Sequence, residues 1–245
     1  MFIPIGDSPN FHKRPYVTLI FIGINVAVFV LFTVPLMQQR PDLNDPLLFE
    51  YLRAMSGRAS VGDLVAHLSA YDLFIFQYGF RPAAPSPLTL VTSLFLHGGG
   101  AHLAGNMLFL WIFGDNVEGR LGAVGFVLLY LGGGIAATCF FWLFVPASPI
   151  PMVGASGAIS AILGCYFIWF PENRINVFVF LFPILVRTVQ IPARIVLGFY
   201  LLVDNLIPFL LVPGDGSGVA YGAHIGGFLG GLALALALKW RRPRP

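Results

Sequence analysis

Apolar residues dominate six stretches of the chain, near residues 17–37, 91–114, 121–145, 153–170, 192–211 and 219–238. A helix needs roughly 20 mostly apolar residues to cross the hydrocarbon core of a bilayer, so each stretch reads as a span or close to one. Two connections break the pattern. Residues 38–90 form a long loop that contains EYLRAMSGRASVGDLVAHLSAYDLFIF, amphipathic in places and expected to lie in the membrane interface. Residues 172–191, ENRINVFVFLFPILVRTVQI, are apolar but are broken by Pro183 and bracketed by Arg174 and Arg187. They are too short to span and return, which predicts an interfacial or re-entrant piece. The opening polar segment runs straight into a full-length first span with no small-residue cleavage site before it, so it does not read as a cleavable signal. The expected organisation is a segment at 1–16, one membrane domain at 17–238 and a basic tail at 239–245. No internal repeat is visible.

Composition agrees with membrane insertion. The 245 residues are 57% hydrophobic and 10% charged, where a soluble domain carries about 25% charged residues. Mean hydropathy is +0.82. Cys139 and Cys165 both sit in apolar stretches, so no disulfide framework is expected. The sequence pI of about 9.0 does not point to nucleic acid, because the basic residues cluster at the ends of apolar runs, as topology signals do. With six spans, Lys13, Arg14, Arg120, Arg174, Arg187, Arg194 and Lys239 to Arg244 fall on one side. On the other, Arg40, Arg53, Arg58 and Arg81 are offset by Asp42, Asp45, Glu50, Asp63 and Asp72. The positive-inside rule then puts both termini in the cytoplasm, makes residues 38–90 external and opens the start of the fourth span outward. The expected location is a bacterial-type plasma membrane.

Polar residues inside spans are costly and are functional candidates by default. The fourth span opens with PMVGASGAISAILG, in which Ser156 and Ser160 are one turn apart. The second contains AHLAGNMLFL, with His102 and Asn106 on one helix face. The sixth contains YGAHIGGFLGGLALALAL around His224. Asp204 and Asn205 lie in the fifth, where Asp204 reads as a residue near water at the outer end rather than a catalytic acid. Gly222, Gly226 and Gly230 form one small row on the last span, and Gly227 and Gly231 a second. Gly157, Ala161 and Gly164 offer a matching face on the fourth. Such rows let helix backbones approach closely in lipid and would bring Ser156 within reach of His224. A serine hydroxyl becomes a useful nucleophile when an adjacent base takes its proton. The N–H of Ser156 at a helix start, with His102 and Asn106, would then supply donors to an oxyanion. GASGA is not the soluble-hydrolase elbow, since Ala158 stands where that motif needs glycine.

Taken singly, each of these residues has a structural role open to it: packing for Ser156, hydrogen bonding for His224, helix bridging for His102 and Asn106. Together, HLAGN (102–106), GDNVEGRLG (114–122), GASG (154–157) and GAHIGGFLGG (222–231) resemble the rhomboid intramembrane serine proteases, in the family's order and over about residues 14–240. The resemblance implies an all-α membrane protein, a six-transmembrane-helix rhomboid-like bundle with a long external first loop. It implies a serine endopeptidase that cuts membrane-protein substrates within or beside a transmembrane segment in the lipid bilayer. Ser156 would be the nucleophile and His224 the base, with His102, Asn106 and Gly157 around the oxyanion and His97 and Gly154 in support. Glu118 and Arg120 resemble a structural acid–base pair. No metal, cofactor or nucleic acid is implied. The sequence departs from some bacterial members in two places: SPLTLVTS lacks the Trp-Arg of their first loop, and Ser160 replaces a tyrosine that stacks on their base histidine. The rival readings are a rhomboid-like pseudoprotease that binds membrane proteins without cutting them, and a transporter or channel using the polar residues as a pathway.

Overall fold

The computed structural model describes residues 2–10, 14–57, 60–181, 185–212 and 218–240. Pro183 and the arginines of the basic tail lie outside the described residues. In chain order the elements are β1 (Phe2–Ser8), α1 (Tyr16–Met37), α2 (Pro46–Met55), α3 (Val61–His67), α4 (Ala70–Tyr78), α5 (Pro87–Thr92), α6 (Gly100–Phe144), α7 (Ser156–Trp169), β2 (Arg174–Leu181), β3 (Leu185–Pro192), α8 (Ala193–Leu211) and α9 (Tyr221–Trp240). Among the described residues, four helices are long and apolar enough to cross a membrane: α1, α6, α8 and α9 through Leu238. The protein is a mostly helical integral membrane protein.

The second and third apolar runs form a single 45-residue helix, α6, kinked at Gly122. There φ is 74°, a left-handed conformation that only glycine adopts without a Cβ clash. The polar stretch DNVEGR, expected to connect two spans, contains no proline and stays helical through Gly119 up to that glycine. The second run also starts later than its hydrophobicity suggests. Residues 93–95 make one 3-10 turn, the chain extends at Leu96, and α6 begins at Gly100 after Gly98 and Gly99. Leu94 and Leu96 are buried within the protein rather than exposed on a lipid-facing helix.

Glu118 closes the start of α1. Its carboxylate accepts from the N–H groups of Val17 and Thr18 at 2.9 and 2.8 Å and from the Thr18 hydroxyl at 2.8 Å. Those amides have no partner within the helix, and a negative charge suits that end of the dipole. Arg120 lies over the Trp169 ring at 4.7 Å. The 38–90 segment folds locally, with α2 and α4 capped by Asp45 and by the Ser69–Asp72 box around a small core of Leu48, Leu68 and Leu73.

An all-α expectation misses a three-stranded antiparallel sheet, ordered β1-β2-β3. Residues expected to be an interfacial or re-entrant piece form the β2–β3 pair, from Arg174↔Pro192 to Leu181↔Leu185. Part of the opening segment pairs with β2 as β1, from Phe2↔Val179 to Ser8↔Arg174. The physical reason is a period of two: Ile175, Val177 and Val179 are buried in the main core, while Phe180 faces out. Apolar side chains on both faces hid that alternation. The sheet is fastened to the helices through buried Asp7, which accepts from Asn116 at 2.7 Å and from the Tyr166 hydroxyl. Burial raises the Asp7 carboxyl above the usual aspartate range.

Helix α7 is the centre of the bundle, with every residue from Gly157 to Tyr166 buried. Its neighbours come extremely close. A Cβ added at Gly227 would lie 2.2 Å from the Gly157 carbonyl oxygen, and one at Gly231 would lie 1.9 Å from that of Ala161. A Cβ at Gly164 would meet the Phe228 carbonyl at 2.1 Å. The Gly227–Gly231 row therefore faces α7. The other row turns to the second leg of α6, where a Cβ at Gly226 would lie 2.4 Å from Phe140 Cβ.

Candidate active site

The packing of α7 on α9 sets one distance. His224 Nε2 lies 2.8 Å from Ser156 Oγ, across 68 residues of sequence. Ser156 is the first residue of α7 and sits directly after a turn made at Gly154, where φ is 133°. The Gly154 N–H donates to the Ser93 carbonyl at 2.9 Å, which ties that turn to the chain before α6. A second tie is the antiparallel bridge of Met152 with Phe80, whose N–H groups donate to each other's carbonyls at 2.8 and 3.0 Å. The approach to Ser156 is thus held from two sides.

Ser156 and His224 border a cavity of about 820 Å³ that His102, Asn106, Gly154 and Gly157 also line. Gly154 keeps room beside the hydroxyl. A Cβ there would lie 2.8 Å from His102 Nε2 and 3.6 Å from Ser156 Oγ, so glycine is required for space as well as for backbone conformation. Asn106 is buried, and its Nδ2 has no hydrogen-bond partner among the described residues. An unpaired buried donor costs about 1–3 kcal/mol, and this one borders the cavity. His97 lies behind His102, with the rings 5.1 Å apart and edge to face. It is fully buried, and its carbonyl accepts from the Tyr71 hydroxyl at 2.7 Å, which connects the site to α4. The structure therefore gathers Ser156, His224, His102, Asn106, Gly154 and Gly157 around one cavity and sets His97 behind them.

Two neighbours of His224 were given no role at the site from the sequence. Asn205 Oδ1 is 2.6 Å from His224 Nδ1. The Tyr200 ring lies beside the imidazole, with centroids 6.4 Å apart and planes 29° from parallel. Both come from α8, and Asp204 between them is exposed. Ser160, in the place of a stacking tyrosine, bonds the Tyr200 hydroxyl at 2.7 Å. The signal for Asn205 was Pro208. A proline lacks an N–H and crowds the carbonyl four residues back, and α8 widens into a π turn over Leu202–Leu206 just before it. Helix α1 does the same over Phe29–Thr33, ahead of Pro35. Such turns often mark functional positions.

Fold and site together define a membrane protein with a half-buried Ser–His contact, and the family match agrees. The Rhomboid domain model matches residues 85–241, more than half of the chain. The chain belongs to the rhomboid family. It is 40% identical over 153 residues to the rhomboid protease GluP of Bacillus subtilis, an alignment covering 61% of this chain and 25% of GluP. It is 37% identical over 102 residues to the mitochondrial rhomboid protein 1 of Saccharomyces cerevisiae, covering 40% of this chain and 30% of that protein. The mitochondrial presenilin-associated rhomboid-like protein A of Danio rerio is 32% identical over 112 residues, covering 44% and 29%. The chain spans about a quarter to a third of the length of these relatives.

Proposed function

We propose that this protein is an intramembrane serine endopeptidase that cleaves membrane-protein substrates in or beside a transmembrane segment through a Ser156–His224 dyad. The observation that carries this reading is the 2.8 Å contact between Ser156 Oγ and His224 Nε2, bordering a cavity that also holds donors. In the forward step Ser156 Oγ bonds to the scissile carbonyl carbon and its proton passes to His224 Nε2. The carbonyl oxygen becomes an oxyanion beside the Ser156 N–H, His102 and Asn106. Collapse breaks the C–N bond, and His224 returns the proton to the leaving amine. Water then hydrolyses the acyl-enzyme with His224 again acting as base.

A peptide carbonyl inside a transmembrane helix is already hydrogen-bonded, so the substrate must unwind locally to present it. Substrates with small or helix-weakening residues near the cut fit this demand. The arginine and lysine distribution supports cytoplasmic termini and a site opening to the far side. The reading is tested by reconstituting the purified chain in liposomes with membrane proteins of single transmembrane segment and mapping products by mass spectrometry. Cuts in or beside the segment support it. Stable complexes without products would favour a binding-only rhomboid-like protein.

Asn106→Ala separates a catalytic donor from a structural amide. A donor that meets an oxyanion more strongly than a carbonyl acts on kcat. Loss of one such donor in a soluble serine protease costs roughly 10²–10³ in rate. The Ser156 N–H and His102 share the charge here, so a drop at or below the lower end of that range is expected. It should appear in kcat per folded molecule, with substrate binding little changed. Normal kcat with a lowered melting temperature would take Asn106 out of the site.

A further inference from the structure

We infer that Asn205 is a positioning residue that fixes the tautomer of His224, in the role a carboxylate fills in soluble serine triads. The inference rests on the proteolytic reading of the same site. Asn205 bridges two fixed partners: its Nδ2 donates to the Tyr200 carbonyl at 2.7 Å, and its Oδ1 lies 2.6 Å from His224 Nδ1. The Tyr200 carbonyl can only accept, so the amide nitrogen must point to it. That leaves Oδ1 facing the imidazole, and an amide oxygen also can only accept. Nδ1 must therefore carry the proton. Nε2 then presents a lone pair to Ser156 Oγ at 2.8 Å, the arrangement a general base requires.

The second observation is the clamp around this amide. Asn205 is 2% exposed and belongs to the π turn ahead of Pro208. Tyr200, which supplies the orienting carbonyl, also sets its ring against the imidazole and is anchored to α7 through Ser160. Position 160 thus still serves the base, one residue removed. An amide can orient a histidine without adding a charge to a helix that must sit in lipid, where an ionised side chain is costly.

The test uses the full-length protein in detergent micelles and nanodiscs. Two readouts are followed: the rate of Ser156 phosphonylation by a fluorophosphonate, and the ¹⁵N shifts of selectively labelled histidine. Wild type is expected to show His224 in the Nδ1–H form. Asn205→Leu should lose that preference and slow phosphonylation by about 10²-fold, part of the roughly 10⁴-fold loss when a triad histidine takes the wrong tautomer. Asn205→Asp keeps an acceptor against Nδ1 and should recover the rate to within about tenfold of wild type. An Nε2–H form in wild type overturns the inference without any variant, even if Asn205→Leu fails to fold. So does a wild-type rate in folded Asn205→Leu. Failure of Ser156 to label in wild type, with the Nδ1–H tautomer present, instead strikes the proteolytic reading and leaves the positioning geometry standing.

Discussion

Ser156→Ala is expected to leave no measurable cleavage while the protein stays folded in the membrane. The hydroxyl is the atom that would form the acyl bond, and no other side chain of the cavity can replace it in line with His224 Nε2. Ser160 is four residues along α7, fully buried and bonded to Tyr200. In a soluble serine protease, loss of the nucleophile costs about 2 × 10⁶ in kcat, and a loss of that size would leave no product to detect. Folding should survive because Ser156 is half-buried at the first position of α7 and alanine suits a helix. The check is product formation by the purified variant, beside a melting curve that matches wild type. Substantial cleavage by a folded Ser156→Ala protein would remove the assignment.

Gly227→Leu is expected to cost nearly as much, without touching a reacting atom. The Cβ alone would lie 2.2 Å from the Gly157 carbonyl oxygen and 3.1 Å from Ser160 Cβ. Neither can move aside as a flexible side-chain tip would, so α9 must shift from α7 or rotate. His224 lies one turn before Gly227 on the same helix, and its 2.8 Å contact with Ser156 moves with it. A misplacement of about 1 Å can cost 10² in rate, and the loss here should reach at least that. Gly230→Leu is the matched control. That position is exposed, and the nearest atom to an added Cβ is Ala136 Cβ at 4.0 Å. Its activity should stay close to wild type. Equal activity in the two leucine variants would show that close packing of α7 on α9 does not set the Ser156–His224 distance.

The sequence carried the site more fully than the frame around it. The small rows on the fourth and sixth spans implied that backbones touch there, and Gly227 and Gly231 do face α7. Gly226, in the other row, packs on Phe140 of α6 instead, because adjacent residues point about 100° apart around a helix. The sheet escaped because Val177 and Val179 alternate with Phe178 and Phe180, an apolar run that masks a period of two. The kink at Gly122 escaped because a single glycine within a helical pattern does not reveal its φ. Asn205 was noticed as a polar residue in a span, but its direction depends on a π turn caused by a proline three residues on. Side-chain direction in such a turn departs from the usual 3.6-residue period, so counting positions around an ideal helix cannot place it.

The most direct measurement is site-mapped labelling with a fluorophosphonate. Such a probe reacts efficiently where a serine oxygen is activated and the charge developing on the phosphoryl oxygen is stabilised, with fluoride as the leaving group. The account predicts one label per folded chain, on Ser156, with the rate collapsing in His224→Ala while the fold persists. No label on the folded protein under conditions where it cleaves substrate, or a label placed elsewhere and insensitive to His224, would contradict it.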